Sequence, residues 1–366
     1  MKRVLFIIYT HSLGGGAERI LTNVVNSLNP DKYDVDILEY AQYDVKEEPI
    51  HETVHRLPPI VSMKQDGKLK RLFKNIQVFS FSHFLKRRDK QYDIEISFNY
   101  QIPTFLLSGK TPAVSWIHGD VYDLKTRPYF RYLQRRAFRK VDRIVAISES
   151  TRKSLMGVFP EFADKIILIY NGFDTENILS LSRETCNIQL KKPNLVFVGR
   201  LDDNKSPLRL LTVIGMLKKD NIDVNVYFVG QGELETAIQE TAEELHIQDR
   251  VFLLGYQTNP YPIMAQADAI CMMSKSEGFP TVFAEGMQLG IPFISTPVGG
   301  VAELADGGKC GYVVESEAAC ATAVKDLLFT AGRREEMCAN CLEHIKEFSL
   351  QRQNEKIEKL IDSLLE

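Results

Sequence analysis

Apolar residues come along this chain in short unbroken runs. Each run closes on glycine or a polar cluster, and several are followed by apolar positions spaced three and four apart. Residues 3–9 (RVLFIIY) are the first run and read as a strand buried in a parallel sheet. His11-Ser12-Leu13-Gly14-Gly15-Gly16 follows, then AERILTNVVNSL, in which Ile20, Leu21, Val24, Val25 and Leu28 recur at helical spacing. DVDILEY is the next strand. Residues 41–60, interrupted by Pro49, Pro58 and Pro59, read as irregular, and a basic helix follows them. Residues 94–98, 113–117, 143–147 and 166–169 read as further buried strands. They end on Asn99-Tyr100, His118-Gly119-Asp120, Ser148-Glu149-Ser150 and Tyr170-Asn171-Gly172. Residues 175–192 are polar with no strand pattern, which places a domain junction there.

The pattern then restarts. Strands are predicted at 195–198, 224–229, 251–254, 269–273, 292–295 and 312–314, with Gly199-Arg200 after the first and Gly230-Gln231-Gly232 after the second. The tail, 349–366, reads as an amphipathic helix with Ile357, Leu360, Ile361 and Leu364 on one side. The fold expected is therefore α/β. Two Rossmann-like β/α/β domains, 1–175 and 190–345, face each other across a cleft, with 349–366 as a separate terminal helix.

Length and composition agree with two soluble domains: 366 residues exceed one ordinary core, and 44% are hydrophobic against 25% charged. No apolar run reaches the ~18 residues of a membrane span. MKRVLFIIYTH reads as a first strand rather than a signal peptide. Among six cysteines, Cys338 and Cys341 form a lone C-x-x-C without a second pair, so reduced thiols in a cytosolic protein are expected rather than a metal or redox centre.

Charge changes the picture more. The net charge is −3, yet residues 1–175 hold 27 Lys and Arg against 20 Asp and Glu (+7), and the remainder 18 against 28 (−10). The positive excess lies in 64–90 and 125–143. The first carries Phe73, Phe79, Phe81 and Phe84, the second Tyr129, Phe130, Tyr132 and Phe138. Two readings stand. Basic helices with an aromatic face suit an anionic membrane surface, and solvated helices whose aromatics face the core give the same pattern.

Candidate chemistry concentrates in 274–290, SKSEGFPTVFAEGMQLG. Glu277 and Glu285 stand with seven residues between them. Gly278 and Pro280 break the chain after the first, and a helix is predicted from Thr281. A helix N-terminus offers unpaired N–H groups and partial positive charge to a phosphate. The two carboxylates suit hydroxyls on either side of it, or else they only cap and complement the helix. Arg200 and Lys205, in the loop after the first strand of the second domain, make a diphosphate clamp, unless Arg200 pairs with Asp202 or Asp203. Gly14-Gly15-Gly16 with Glu39 has the layout of a dinucleotide fingerprint but is not G-x-G-x-x-G. His118 ends a strand, where ligands of doubly wound sheets bind.

Together these residues resemble the retaining GT-B glycosyltransferases with the E-x7-E signature (glycosyl transferase group 1, family 4). The resemblance spans nearly the whole chain. It rests on Gly14-Gly15-Gly16-Ala17-Glu18, Trp116-Ile117-His118, Ser148, Asn171-Gly172, Gly199-Arg200 with Lys205, Gly230-Gln231-Gly232, Glu277 with Glu285, and Pro297-Val298-Gly299-Gly300. Residues 40–90 carry no pattern of the family.

The resemblance implies a nucleotide-sugar donor, a UDP-sugar, held by the second domain without metal or other cofactor. It implies Arg200 and Lys205 on the diphosphate and backbone amides near Thr281 and Val282 beside them. Glu285 falls on the ribose, and Glu277 with Gly278, Phe279 and Pro280 at the sugar. His118 would act from the first domain, and Gly15 and Gly16 would give backbone access. Glu277, His118, Arg200 and Lys205 are thus the candidate catalytic residues. The terminal helix is expected to cross back to the first domain. The first domain, 1–175, is implied as the acceptor side, and the acceptor expected is a growing lipid-linked cell-surface glycan, met in the cytoplasm at the inner face of the membrane through the basic helices, with no nucleic-acid partner. Alternatives are a GT-B nucleotide-sugar epimerase, a transferase with a soluble acceptor, a nicotinamide-dependent oxidoreductase using Glu39, and a non-catalytic sugar- or membrane-binding protein.

Overall fold

The computed structural model describes residues 1–13, 16–43, 45, 49–72, 74 and 90–366. They form two compact units. One is Met1–Phe173 with Leu350–Glu366, and the other is Asp174–Ser349. Each is a parallel α/β sheet unit, so the chain has the expected fold class.

In the first unit the strands are β1 (Lys2–Ile8), β2 (Tyr33–Glu39), β3 (Ala41–Gln42), β4 (Val54–Arg56), β5 (Val61–Ser62), β6 (Ile94–Phe98), β7 (Ala113–Ile117), β8 (Arg143–Ala146) and β9 (Ile166–Leu168). Seven make one parallel sheet in the order β4-β2-β1-β6-β7-β8-β9, and β3 pairs with β5 beside it. β6 and β7 are buried along their whole length although β6 alternates (Ile94-Glu95-Ile96-Ser97-Phe98); its polar side chains are satisfied inside, Glu95 accepting the Ser108 N–H at 2.5 Å and the Ser97 hydroxyl donating to Ser115 at 3.1 Å. Residues 41–60 are not irregular throughout, since they contribute β3 and β4. β4 escaped detection because an edge strand of three residues, Val54-His55-Arg56, buries only Val54.

Of the basic helix expected in 64–90, residues 68–72 and 74 are helical and 75–89 lie outside the described residues. The second basic segment is shorter than its charge run. Pro128 opens the helix Pro128–Phe138, since proline at the first position loses no helical bond. Its aromatics divide: Phe138 is fully buried, while Tyr129 and Tyr132 are exposed.

The second unit holds β10 (Asn194–Val198), β11 (Asn225–Val229), β12 (Val251–Leu253), β13 (Ala269–Met272), β14 (Phe293–Ser295) and β15 (Gly311–Val313). They are all parallel, in the order β12-β11-β10-β13-β14-β15. The junction expected in 175–192 opens with the helix Thr175–Ser182, capped by the Asp174 carboxylate on the Asn177 N–H at 3.0 Å.

The terminal helix Leu350–Leu365 belongs to the first unit and buries Ile357, Leu360 and Ile361. Lys2 and Lys32 bond Asp362 and Glu358 at 2.9 and 3.1 Å. Gly172 marks its arrival: a Cβ there would lie 2.7 Å from the Leu350 Cα, so only glycine lets the helix start pass. Among the described residues no helix is long and apolar enough to cross a membrane, and all six cysteines are free thiols.

Candidate active site

Each sheet reverses its winding direction once, between β1 and β6 in the first unit and between β10 and β13 in the second. The connections leave in opposite directions there, opening a crevice at the carboxyl ends of the strands. In the second unit that crevice is walled by the loop after β10, carrying Arg200 and Lys205, and the loop after β13, carrying Glu277.

These loops are fastened together. The Lys275 N–H donates to the Asn204 carbonyl at 2.8 Å, and the Asn204 side-chain amide donates to the Ser276 carbonyl at 3.0 Å. Lys275 also pairs with Asp203 at 2.5 Å. The Thr296 hydroxyl donates to the Ser274 carbonyl at 2.6 Å. Lys205 Nζ then meets Glu277 Oε1 at 2.5 Å, with side chains only 20% and 12% exposed. Two candidate residues 72 positions apart are thus one ion pair.

Backbone crowding requires the glycines here. Gly230 has φ +149°, and a Cβ on it would sit 1.9 Å from the Gly199 carbonyl oxygen. Gly299, at φ +48°, lies beneath the Glu277 and Gly278 carbonyls, which a Cβ would approach to 2.8 and 2.7 Å.

Arg200 is held differently. It reaches Asp202 on its own loop at 3.1 Å and its side chain is 76% exposed, so the structure does not bring it to Glu277. The helix Thr281–Gln288 starts after Pro280, with no side-chain cap and no acidic residue in its first turn. Its first amides, Thr281 and Val282, open it without a carboxylate competing for the position. Glu285 is buried on this helix. The ring of Phe279 is buried too, 5.9 Å from Phe348 and against Gly300, so a donor contact from this position comes from its backbone.

In the first unit Gly16 opens the helix Gly16–Ser27, and Gly14 and Gly15 lie outside the described residues. Glu39 is engaged within the fold. Its buried carboxylate accepts from the Thr10 hydroxyl, the His11 N–H and the Ser12 hydroxyl at 3.0, 2.7 and 2.5 Å, fixing the entry to the glycine loop. That removes the oxidoreductase role for this residue.

His118 follows β7. Its ring lies 4.0 Å from that of Phe98 and 6.2 Å from that of Trp116, and its buried Nε2 has no hydrogen-bond partner. Burial lowers its pKa from 6.5 to about 3. The imidazole is therefore neutral at physiological pH, a hydrogen-bonding group rather than a cation. Nearby, Gln101 has φ +61°, a strained value for a residue with a side chain, and the Gln134 side-chain oxygen accepts its N–H at 2.6 Å. Sequence reasoning passed over Gln101, Gln134, Asn204 and Thr296. The side chains of Gln134, Asn204 and Thr296 each act on a backbone group distant in sequence, in the case of Gln134 the Gln101 N–H, and leave no local signature. Among the described residues no cluster of three or more His, Cys, Asp or Glu could hold a metal.

Two parallel α/β units, each with its first strand at the winding reversal, and a cationic, glycine-lined crevice in the second, define the GT-B class of glycosyltransferases. The sequence profile of the glycosyl transferases group 1 matches residues 181–347, and that of glycosyltransferase family 4 matches 14–177. The chain belongs to this group 1, family 4 set of glycosyltransferases and is a transferase enzyme.

Two similar proteins come from Campylobacter jejuni. N-acetylgalactosamine-N,N'-diacetylbacillosaminyl-diphospho-undecaprenol 4-alpha-N-acetylgalactosaminyltransferase is 27% identical over 84% of this chain and 85% of its own length. GalNAc-alpha-(1->4)-GalNAc-alpha-(1->3)-diNAcBac-PP-undecaprenol alpha-1,4-N-acetyl-D-galactosaminyltransferase is 26% identical over 99% and 98%. Among solved structures, HepE of Anabaena in complex with UDP superposes with a TM-score of 0.76 over 100% of both chains at 17% identity, a likeness of fold.

Proposed function

We propose that the protein is a retaining glycosyltransferase that moves a sugar from a UDP-sugar to a lipid-linked glycan at the inner face of the membrane. The observation that carries this reading is the Lys205–Glu277 pair at the winding reversal of the second sheet, beside the uncapped start of the helix Thr281–Gln288. A lone buried-side ion pair is a weak stabiliser. One set in a crevice beside free helix amides is a charge arrangement for a diphosphate that carries a sugar.

In this reading Lys205 turns to the diphosphate with the Thr281 and Val282 amides, offsetting the charge that grows on the leaving nucleotide. Arg200, exposed on the same loop, swings from Asp202 to join it. Glu277, released from Lys205, accepts from sugar hydroxyls, and Glu285 accepts from the ribose. Neutral His118 hydrogen-bonds a sugar hydroxyl. The acceptor hydroxyl attacks the anomeric carbon as its bond to the diphosphate oxygen breaks on the same face. The leaving phosphate takes the acceptor proton, so no protein nucleophile, metal or cofactor is assigned.

The Campylobacter proteins, named as alpha-transferases acting on diphospho-undecaprenol substrates, support the acceptor class and the stereochemistry. UDP bound to a structure of the same fold supports the nucleotide. Exposed Tyr129 and Tyr132, on a helix that also carries Arg131, Arg135 and Arg136, support a peripheral membrane contact.

The test is a thermal-shift screen of nucleotide sugars, then mass spectrometry and NMR of products formed on lipid-linked acceptors. Stabilisation by a UDP-sugar and an α-linked product are expected. Stabilisation by no UDP-sugar, an inverted linkage, or an epimerised sugar released without transfer would each refute the proposal.

A further inference from the structure

Residues 273–278 form neither helix nor strand, so the place of the Glu277 carboxylate depends on what holds their backbone. Three side chains do so. Arg209, on the helix Pro207–Lys219, donates to the Met273 carbonyl at 3.3 Å and pairs with Glu317 at 2.5 Å. Asn204 donates to the Ser276 carbonyl at 3.0 Å in an exposed bond. The Thr296 hydroxyl donates to the Ser274 carbonyl at 2.6 Å, where Thr296 and Ser274 are 5% and 3% exposed. The last is the shortest of the three bonds and the one that solvent does not replace. The Ser274 hydroxyl is also buried and has no partner, so no other polar group lies within hydrogen-bond reach of it.

Thr296 is fixed in turn. It follows β14, and its carbonyl accepts the Val298 N–H at 2.8 Å and the Ser295 hydroxyl at 3.0 Å. The same turn runs on to Gly299, whose backbone lies against the Glu277 and Gly278 carbonyls, and to Gly300 against the Phe279 ring. The loop after β14 is therefore a floor beneath residues 274–279. It is joined to them by a buried hydrogen bond at the Ser274 end and by bare backbone at the Glu277 end.

Without donor, the Lys205 pair also holds Glu277. In the reading above Lys205 then turns to the diphosphate, and Glu277 loses that hold as it takes up sugar hydroxyls. From that point its position rests on the backbone of its own segment. A neutral hydrogen bond of modest weight in folding then decides geometry, and a displacement of about 1 Å near reacting groups costs up to about a hundredfold in rate.

We propose that Thr296 is a positioning residue for catalysis: through the Ser274 carbonyl, its hydroxyl holds Glu277 on the donor sugar once Lys205 has turned away. The proposal rests on the glycosyltransferase reading and adds a residue outside the ion pair on which turnover depends.

The test uses the full chain with Thr296→Val, which removes the hydroxyl at similar shape, and Thr296→Ser, which keeps it. Each is also made in the Glu277→Gln background. Calorimetry measures UDP binding, and mass spectrometry follows transfer from the UDP-sugar to a polyprenyl-diphosphate-linked sugar. Thr296→Val is expected to lower kcat by about tenfold or more with UDP affinity within about twofold of wild type, and Thr296→Ser to keep most of the rate. In the Glu277→Gln background the same Thr296→Val change should cost less than about threefold, because the group it positions is already disabled. Should Thr296→Val fail to fold, Thr296→Cys, a weak donor of similar size, takes its place, with a loss of about three- to tenfold expected.

Full kcat without the hydroxyl, or a Thr296→Ser enzyme as slow as Thr296→Val, overturns the role of this hydrogen bond. Losses at Thr296 and Glu277 that simply multiply reduce Thr296 to a structural residue, and a tenfold loss of UDP affinity moves its effect from Glu277 to the nucleotide. Each of these, in a chain whose wild type transfers sugar, sinks only the assignment of Thr296. A wild-type protein without UDP binding or transfer would sink the glycosyltransferase reading itself, and this proposal with it.

Discussion

Substituting Lys205 and Glu277 singly and together separates a working pair from a structural one. Their side chains are 20% and 12% exposed and 2.5 Å apart. Lys205→Met strands a mostly buried carboxylate. Breaking a fully buried pair costs about 3–5 kcal/mol, and the partial exposure here reduces that to about 1–3 kcal/mol. Replacing both partners, as in Lys205→Met/Glu277→Gln, removes the stranded charge, so most of that stability should return. Activity should behave otherwise. Losing a cation that offsets charge growing on the leaving diphosphate costs about 2–4 kcal/mol, roughly 30- to 900-fold in kcat/KM. The double variant should be no better than the worse single variant, because each group serves a different part of the donor. Thermal midpoints and UDP release from saturating and limiting donor measure the two quantities on the same samples. A double variant that regains activity along with stability would show that the pair only holds the loops, and so would a Lys205→Met enzyme within about twofold of wild type.

Four other outcomes are expected. Glu285→Gln should weaken UDP binding in calorimetry while lowering turnover less than Glu277→Gln, and unchanged UDP affinity would remove Glu285 from the ribose. Gly230→Ala, whose new Cβ would lie 1.9 Å from the Gly199 carbonyl oxygen, should destabilise by about 3 kcal/mol or more, so normal thermal stability would mean the two loops do not meet as described. His118, with a folded pKa of about 3 against 6.5 unfolded, leaves stability intact above pH 6.5 and erodes it as pH falls toward 3. The loss should approach about 3 kcal/mol near pH 4.5, and His118→Asn should flatten the decline in thermal midpoint; an unaltered slope would contradict its burial. Tyr129→Ser/Tyr132→Ser/Arg136→Glu should weaken binding to anionic vesicles by about tenfold without altering UDP affinity, and full retention would move membrane contact to the segment containing Lys86, Arg87 and Arg88, outside the described residues.

How far the fold could be read from the chain depended on burial. Strands covered on both faces, such as Lys2–Ile8 and Asn225–Val229, carry unbroken apolar runs (VLFII and VYFV), and the structure places buried strands at those residues. The edge strand Val54–Arg56 buries one side chain and left no run to read. The helix Thr175–Ser182 buries only Ile178, so its polarity resembled a linker, although Asp174 is a proper cap. The basic segment 125–143 looked like one long helix because charge has no period. Pro128 and the preceding turn Tyr122–Lys125 cut it to eleven residues.

The site was legible one residue at a time but not as a site. Local pattern marks where strands end, and Arg200, Lys205, Glu277 and His118 all stand at such ends. What brings Lys205 to Glu277 is the placing of β13 beside β10 rather than beyond β12, and a parallel sheet gives no local sign of that order. Arg200 shows the converse. Its partner Asp202 is two residues away, a contact any conformation of the loop permits, so proximity in sequence said nothing of the crevice. The burial of His118 likewise comes from the neighbouring strand, where Phe98 lies in register with Trp116. The two glycine-bearing loops nonetheless follow β1 and β10, the strands from which each sheet winds both ways. That strand is the one place in each unit where successive connections diverge instead of stacking. A backbone with room for phosphate is useful only there, so strand order explains why glycine, cation and carboxylate collect on those loops and not on the other strand ends.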